Sequence, residues 1–421
     1  MIQNTMLVDV AQLQEAILNR DSDAAYLKLN ALWQCRGSDI REDLFILTLD
    51  AIADCLTEFQ ILNFHERWGA SIKATVYRSA YTDAITSYKT LRFADESRNV
   101  IIGHEGYLYL SGGRHSVLDY MTGRKVPTAE SFENFHNNIK NRERFCAAKN
   151  IKYMHVIYPD KQSVQSLQFP LESYECLGSS YVKRNPELRK VLIYPRDELS
   201  DEGAAFHKKD THMSDKGYCA LTALLLKELG IEAAICAELK VELKELLTKK
   251  VKYSGDLGTK MTPEEFDVKC DIEVGWDFYH VKNNLGVSND GLAELYFNDR
   301  ALTSMRVVIF GDSFSRLHSL FLSRCFKEVA FFRTRFFHDD IVEMAKPDLV
   351  ITGNAERYLS AVDRDEIAPN FFLYPLLKGI GHAPDQDYAI AMNAFLSYPK
   401  YEYLKFKNNL SSDSIKRNIS L

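Results

Sequence analysis

The feature that most constrains this chain is a set of short segments that are apolar at nearly every position. IKYMHVIYP (151–159), KVLIYP (190–195), MRVVIF (305–310), EVAFFR (328–333) and PDLVITGN (347–354) read as strands. A strand apolar on both sides is buried on both faces. Helical patterns lie between these segments. AESFENFHNNIKNRERFCAAKN spaces Phe132, Phe135, Ile139 and Phe145 for one stripe. GYCALTALLLKELG is a helix closed by Gly230, and SRLHSLFLSRCF and DDIVEMAK are two more. Strands alternating with helices predict an α/β fold, a parallel sheet flanked by helices. NVIIGHEGYLYLSGG, upstream, has the glycines and aromatic alternation of strands and a hairpin.

The flanks lack this rhythm. Residues 1–95 place apolar residues three and four apart, with almost no glycine, and predict a helical N-terminal domain. The α/β catalytic domain is expected over 96–390, with an irregular, charge-rich insertion at about 231–300. Residues 391–421 are expected to be a C-terminal extension. The 421 residues exceed what one small core needs.

Composition excludes some functions. A formal net charge of -6 gives no electrostatic case for binding nucleic acid. No run approaches the ~18 apolar residues that span a bilayer. MIQNTMLVDVAQLQEAILNRD lacks the basic leader and apolar core of a signal peptide, so a cytoplasmic location is expected. The eight cysteines are scattered without a C-x-x-C pair, which predicts small buried side chains and neither a zinc site nor a disulfide framework.

Chemistry concentrates at two places. In VVIFGDSFSR a buried strand delivers Gly311, Asp312 and Ser313 to the carboxyl end of a sheet, where open α/β folds place their sites. A serine there lies beside free backbone N–H groups able to hold an oxyanion. The same tripeptide also fits a simple turn in which Asp312 or Ser313 caps a helix. In FHKKDTHMSDKGY, an extended Asp210-Thr211-His212 turns its first and third side chains to one side. The carboxylate then orients the imidazole, whose other nitrogen is free to accept a serine proton. A surface Asp–His pair or a helix cap is the alternative. Asp210, His212 and His207 lack the spacing of a metal site, and no metal is expected.

The order of DTH and, about a hundred residues later, GDSF resembles the SGNH-hydrolase-like acetyltransferases of the alginate O-acetylation type. GHEGYLYL is similar to their opening strand, YPDKQSV to their strand-ending Pro-x-Lys segment, YSGDLGTKM to a Gly-Asp-Leu segment and KPDLVITGNAERYL to their later strand. The resemblance covers roughly residues 98 to 360 and implies an SGNH-hydrolase-like sheet.

It further implies an O-acetyltransferase acting on sugar hydroxyls of a polysaccharide or glycan through an acetyl-serine. Ser313 would be the nucleophile, His212 the general base and then acid, and Asp210 its orienting partner. Ser313 N–H and the Asn354 side chain would be oxyanion donors, although Asn354 also fits a turn. Lys161, Glu356 and Arg357, at similar strand ends, would touch substrate or form a structural ion pair. No bound cofactor is implied, and acetyl-CoA is the candidate acetyl donor because no export signal is seen. Met213 stands where many of these proteins carry an aromatic, which would alter the pocket. Residues 1–95 fall outside the resemblance and would recruit a partner enzyme or glycan carrier. Two rivals remain open: a carbohydrate acetylesterase with the same triad, and a non-catalytic glycan-binding protein on a retained fold.

Overall fold

The computed structural model describes residues 91–396, apart from 95–98, 124, 172–173, 202, 232–233, 236, 240, 242–249, 271–277, 285–288 and 381–383, together with residues 16, 21 and 23–28. Contacts divide the chain into two units, 1–106 with 110–127 and 167–176, and 107–109 with 128–166 and 177–421. In the first, strands β1 (Arg92–Phe93) and β2 (Val100–Ile102) pair antiparallel. Helix α1 (Val117–Met121) buries Val117, Leu118 and Met121.

The strands that follow are β3 (Leu108–Leu110), β4 (Lys152–Tyr158), β5 (Leu192–Ile193), β6 (Lys250–Tyr253), β7 (Asp267–Cys270), β8 (Tyr279–Lys282), β9 (Ala293–Phe297), β10 (Thr303–Gly311), β11 (Phe326–Arg333) and β12 (Leu349–Ala355). Seven form one sheet in the order β5-β4-β12-β10-β11-β9-β8. The first five are parallel to their neighbours. β9 runs antiparallel to β11, and β8 antiparallel to β9. The expected α/β architecture, a mostly parallel sheet flanked by helices, is therefore present. β10 lies near its middle, with Ile309 opposite both Ile351 and Phe331.

The helices used below are α2 (Ala129–Ala148), α3 (Lys161–Val164), α4 (Asp215–Glu228), α5 (Gly255–Gly258), α6 (Ser313–Cys325), α7 (Asp339–Ala345) and α8 (Gln386–Leu396). The continuous apolar strands follow from burial on both faces. Val307 and Ile309 pack with Val156, Ile351, Phe331, and Leu221 and Leu225 of α4. Their neighbours Val308 and Phe310 point the other way, to Phe135 and Ile139 of α2, Ile341 of α7 and Phe395 of α8. Each such side chain contributes about 1.5–3 kcal/mol on leaving water.

Within the region read as an irregular insertion, β6 and β7 pair as an antiparallel ribbon, and β8 and β9 extend the main sheet. Of the N-terminal helical domain expected over 1–95, all but 16, 21, 23–28 and 91–94 lies outside the described residues, as does 397–421 of the expected C-terminal extension. No helix among the described residues is long and apolar enough to cross a membrane.

Candidate active site

β10 ends at Gly311, where the chain has no room for a side chain. A Cβ there would run into the Ser315 side chain and lie 2.8 Å from the Gly353 carbonyl oxygen of β12. Asp312 caps α6. Its Oδ1 accepts from the N–H groups of Phe314 (2.9 Å) and Ser315 (3.5 Å). Its Oδ2 accepts from Ala355 N–H at 2.6 Å, tying the ends of β10 and β12 together. Asp312 therefore does the capping, and Ser313 Oγ lies instead 2.9 Å from His212 Nε2.

His212 is fixed from its other side. Its Nδ1 is 2.7 Å from Asp210 Oδ1, and its backbone N–H donates to the same oxygen at 2.8 Å. Burial by itself pushes the Asp210 carboxyl up, but the hydrogen bonds it accepts from the His212 ring and backbone N–H outweigh it and hold the group well below the usual carboxylate range. An ionised carboxylate only accepts, so Nδ1 carries the proton and Nε2 is left to accept from Ser313. The Phe314 ring packs against the imidazole, 4.8 Å between centroids. The structure thus brings together Asp210, His212 and Ser313, two of them from a loop and one from the end of the central strand.

The loop is braced from behind by residues whose roles the sequence did not reveal. Asp256, in the GDL segment, accepts from Thr211 N–H (2.7 Å) and Thr211 Oγ1 (2.5 Å). The N–H groups of Leu257 and Gly258, in α5, donate to the Lys209 carbonyl at 3.1 and 3.0 Å. Gly255 has φ +67, and a Cβ there would strike the Lys209 carbonyl and lie 2.8 Å from Asp210 Cβ. Only a glycine lets α5 press this closely on the loop. The sequence signal was the GDL segment itself, without its partner.

The other expected contacts lie elsewhere. Lys161 is buried, and its Nζ donates to the carbonyls of Leu108 (2.8 Å) and Lys208 (3.0 Å). It braces the loop rather than facing a substrate. Burial pulls its ammonium down to about 7. Arg357 is buried in an ion pair with Asp160, the structural alternative left open by its position. Glu356 accepts from Asp160 N–H, Ser163 Oγ, Gly178 N–H and Tyr194 OH at 2.7–3.0 Å. Asn354 is the penultimate residue of β12, half-buried, with Nδ2 donating to the Ala355 carbonyl at 3.0 Å. Met213, beside His212, is 2% exposed and packs in the core.

Ligand atoms of Asp210, His212 and Asp256 lie within 4.8 Å of one another. The same groups are engaged by hydrogen bonds within the relay and its brace. His207 packs its ring on Tyr253 instead of joining them.

No protein-family model and no curated protein matches the chain. Several solved structures are similar to it. PatB1 of Bacillus cereus has 13% identity, covers 56% of this chain and 93% of its own, and gives a TM-score of 0.41. The O-acetyltransferase domain of Pseudomonas putida AlgJ has 15% identity over 67% of this chain and 99% of its own, with a TM-score of 0.40. Pseudomonas aeruginosa AlgX has 11% identity over 68% and 69%, with a TM-score of 0.38. Likeness at this level assigns no role to any residue here. The resemblance of this chain to SGNH-like acetyltransferases is carried by its ordered motifs, and the account of its site by the geometry above.

Proposed function

We propose that the chain is a serine-dependent O-acetyltransferase that moves an acetyl group onto a sugar hydroxyl. The observation that carries the reading is the relay from Asp210 through His212 to Ser313 at the carboxyl edge of the sheet. As Ser313 Oγ attacks the acetyl carbonyl, its proton passes to His212 Nε2, and Asp210 stabilises the imidazolium. Breakdown of the tetrahedral intermediate expels the donor's leaving group, which takes that proton, and leaves acetyl-Ser313. A sugar hydroxyl then attacks the acetyl carbonyl while His212 removes its proton. The acetyl ester passes to the sugar, and Ser313 regains its hydrogen.

Negative charge on the carbonyl oxygen needs donors. Asp312 occupies the N–H groups of Phe314 and Ser315, whereas the Ser313 N–H has no hydrogen-bond partner among the described residues. Ser313 N–H is the first oxyanion donor, and the Asn354 amide is the second once it exchanges its carbonyl partner for the substrate. The motifs that resemble acetyltransferases favour a glycan hydroxyl over water as the attacking group. A cytoplasmic location, with acetyl-CoA as the donor that fits it, is part of the same proposal.

The test is intact-mass analysis after mixing with 4-nitrophenyl acetate, with Ser313→Ala alongside. One acetyl group on Ser313, passed on when an oligosaccharide is added, supports transfer. Ser313-dependent cleavage indifferent to added sugar makes the protein an esterase. The absence of both adduct and cleavage would refute the serine reading and leave glycan binding.

A further inference from the structure

Helix α6 exposes one stripe. Ser313, Arg316, Leu317 and Leu320 escape full burial, whereas Phe314, Ser315, His318 and Ser319 are buried. Residues three and four apart are neighbours on a helix, so Arg316 and Leu317 lie one turn along from the Ser313 hydroxyl.

Arg316 is held there by a buried carboxylate. Its Nε donates to Glu294 Oε1 at 2.7 Å, the one hydrogen bond its guanidinium makes among the described residues. Glu294 is 2% exposed and lies near the start of β9, opposite Phe331, at the edge of the sheet where β10 delivers Ser313. Its Oε2 accepts from Tyr296 OH at 2.6 Å and meets His280 Nε2 at 3.3 Å. The His280 ring stacks on Tyr296, 4.3 Å between centroids. Arg316 uses one nitrogen, its side chain is 39% exposed, and neither terminal nitrogen has a partner among the described residues.

We propose that Arg316 is a specificity residue that binds an oxyanion carried by the substrate beside the reacting acetyl group. Glu294, Tyr296 and His280 position it. This rests on the acyl-serine reading for its place in a reaction, though not for its binding test. The planar fork suits a carboxylate or phosphate. Such a group has two sources here, an acidic sugar in the acceptor or the phosphates of a nucleotide-linked donor.

Calorimetric titration distinguishes them without turnover. Two probe pairs differ in charge: an oligogalacturonide against its carboxyl-reduced neutral counterpart, and coenzyme A against pantetheine. Wild-type protein should bind the charged member of one pair at least about 10-fold more tightly than the neutral one. Arg316→Lys and Arg316→Gln should each erase most of that preference, and Glu294→Gln part of it. Preference in the sugar pair assigns the anion to the acceptor, and preference in the coenzyme pair assigns it to the donor. The proposal is overturned if neither charged probe is preferred, or if either folded Arg316 variant keeps the full preference. Failure of the serine chemistry would be seen separately, as a missing acetyl adduct.

Discussion

Thr211 rests its backbone N–H and its hydroxyl on the two oxygens of a single carboxylate, that of Asp256, at 2.7 and 2.5 Å. The central residue of the DTH segment is thereby fixed to the GDL segment. Its neighbours Asp210 and His212 are left to meet each other on the other side. Asp256→Ala is expected to strand the Thr211 donors, costing about 1–3 kcal/mol in urea unfolding. It should also slow acetyl-serine formation roughly 100-fold by loosening the base. Thr211→Val removes one of the two bonds and should cost less. The two changes together should cost less than their sum, since they break the same contact. Strict additivity would mean that Asp256 acts by some other route.

Asp210→Asn should leave the fold unchanged and slow acetylation of Ser313 by about 10^4. The asparagine amide presents a donor or a weaker acceptor to Nδ1, and the imidazole loses the tautomer that leaves Nε2 unprotonated. Rapid-mixing mass analysis measures the rate directly. A rate within a few-fold of wild type would reduce Asp210 to a structural role.

Gly311→Ala tests the tight passage from β10 to α6. The added methyl meets the Ser315 side chain and the Gly353 carbonyl. Overpacking of this kind typically costs about 1–3 kcal/mol, and the upper end is expected because one of the neighbours is backbone. Adding Ser315→Gly should restore part of the loss by clearing the side-chain contact. If Gly311→Ala alone unfolds at the wild-type midpoint, the passage from β10 to α6 has room for a methyl group.

Lys161 provides a pH signature. Burial pulls its folded-state value down to about 7 from an ordinary 10.5. Between those values the unfolded chain binds more protons than the folded one, so stability rises with pH across that window. Below about 7 both states hold the proton, and the burial penalty is present in full. Relative to Lys161→Met, wild type should therefore gain stability from about pH 7 towards 10.5, with a slope approaching ~1.4 kcal/mol per pH unit. Unfolding free energies of both proteins at several pH values check this. A difference that stays flat would mean that Lys161 keeps its ordinary proton affinity.

Much of this was legible in the sequence for identifiable reasons. Val307–Phe310 is apolar throughout because α4 and α6 cover one face and α2, α7 and α8 the other. That made the strand end, and hence Ser313, easy to locate. Asp210 and His212 lie two apart, and a period of two needs no knowledge of the rest of the fold. Asp256 escaped because its meaning depends on Thr211, 45 residues away. Lys161 and Arg357 resembled ligand-binding residues because they are charged and end strands. Those ends instead pack against one another, and Arg357 meets Asp160 there. β9 was lost in the irregular insertion because Glu294 interrupts its apolar run. The structure accommodates that charge by surrounding it with Arg316, Tyr296 and His280.

The nucleophile and its base stand on supports of unequal strength. Ser313 follows a strand hydrogen-bonded on both sides, so displacing it means dismantling the sheet. His212 sits on a loop tied by Lys161, Asp256 and two N–H groups of α5. Opening that loop breaks these bonds and draws Met213 from the core but leaves the sheet intact, so it requires less free energy than global unfolding. On heating, inactivation will therefore run ahead of melting. The first species lost is not the folded protein but its competent form, and cooling restores it.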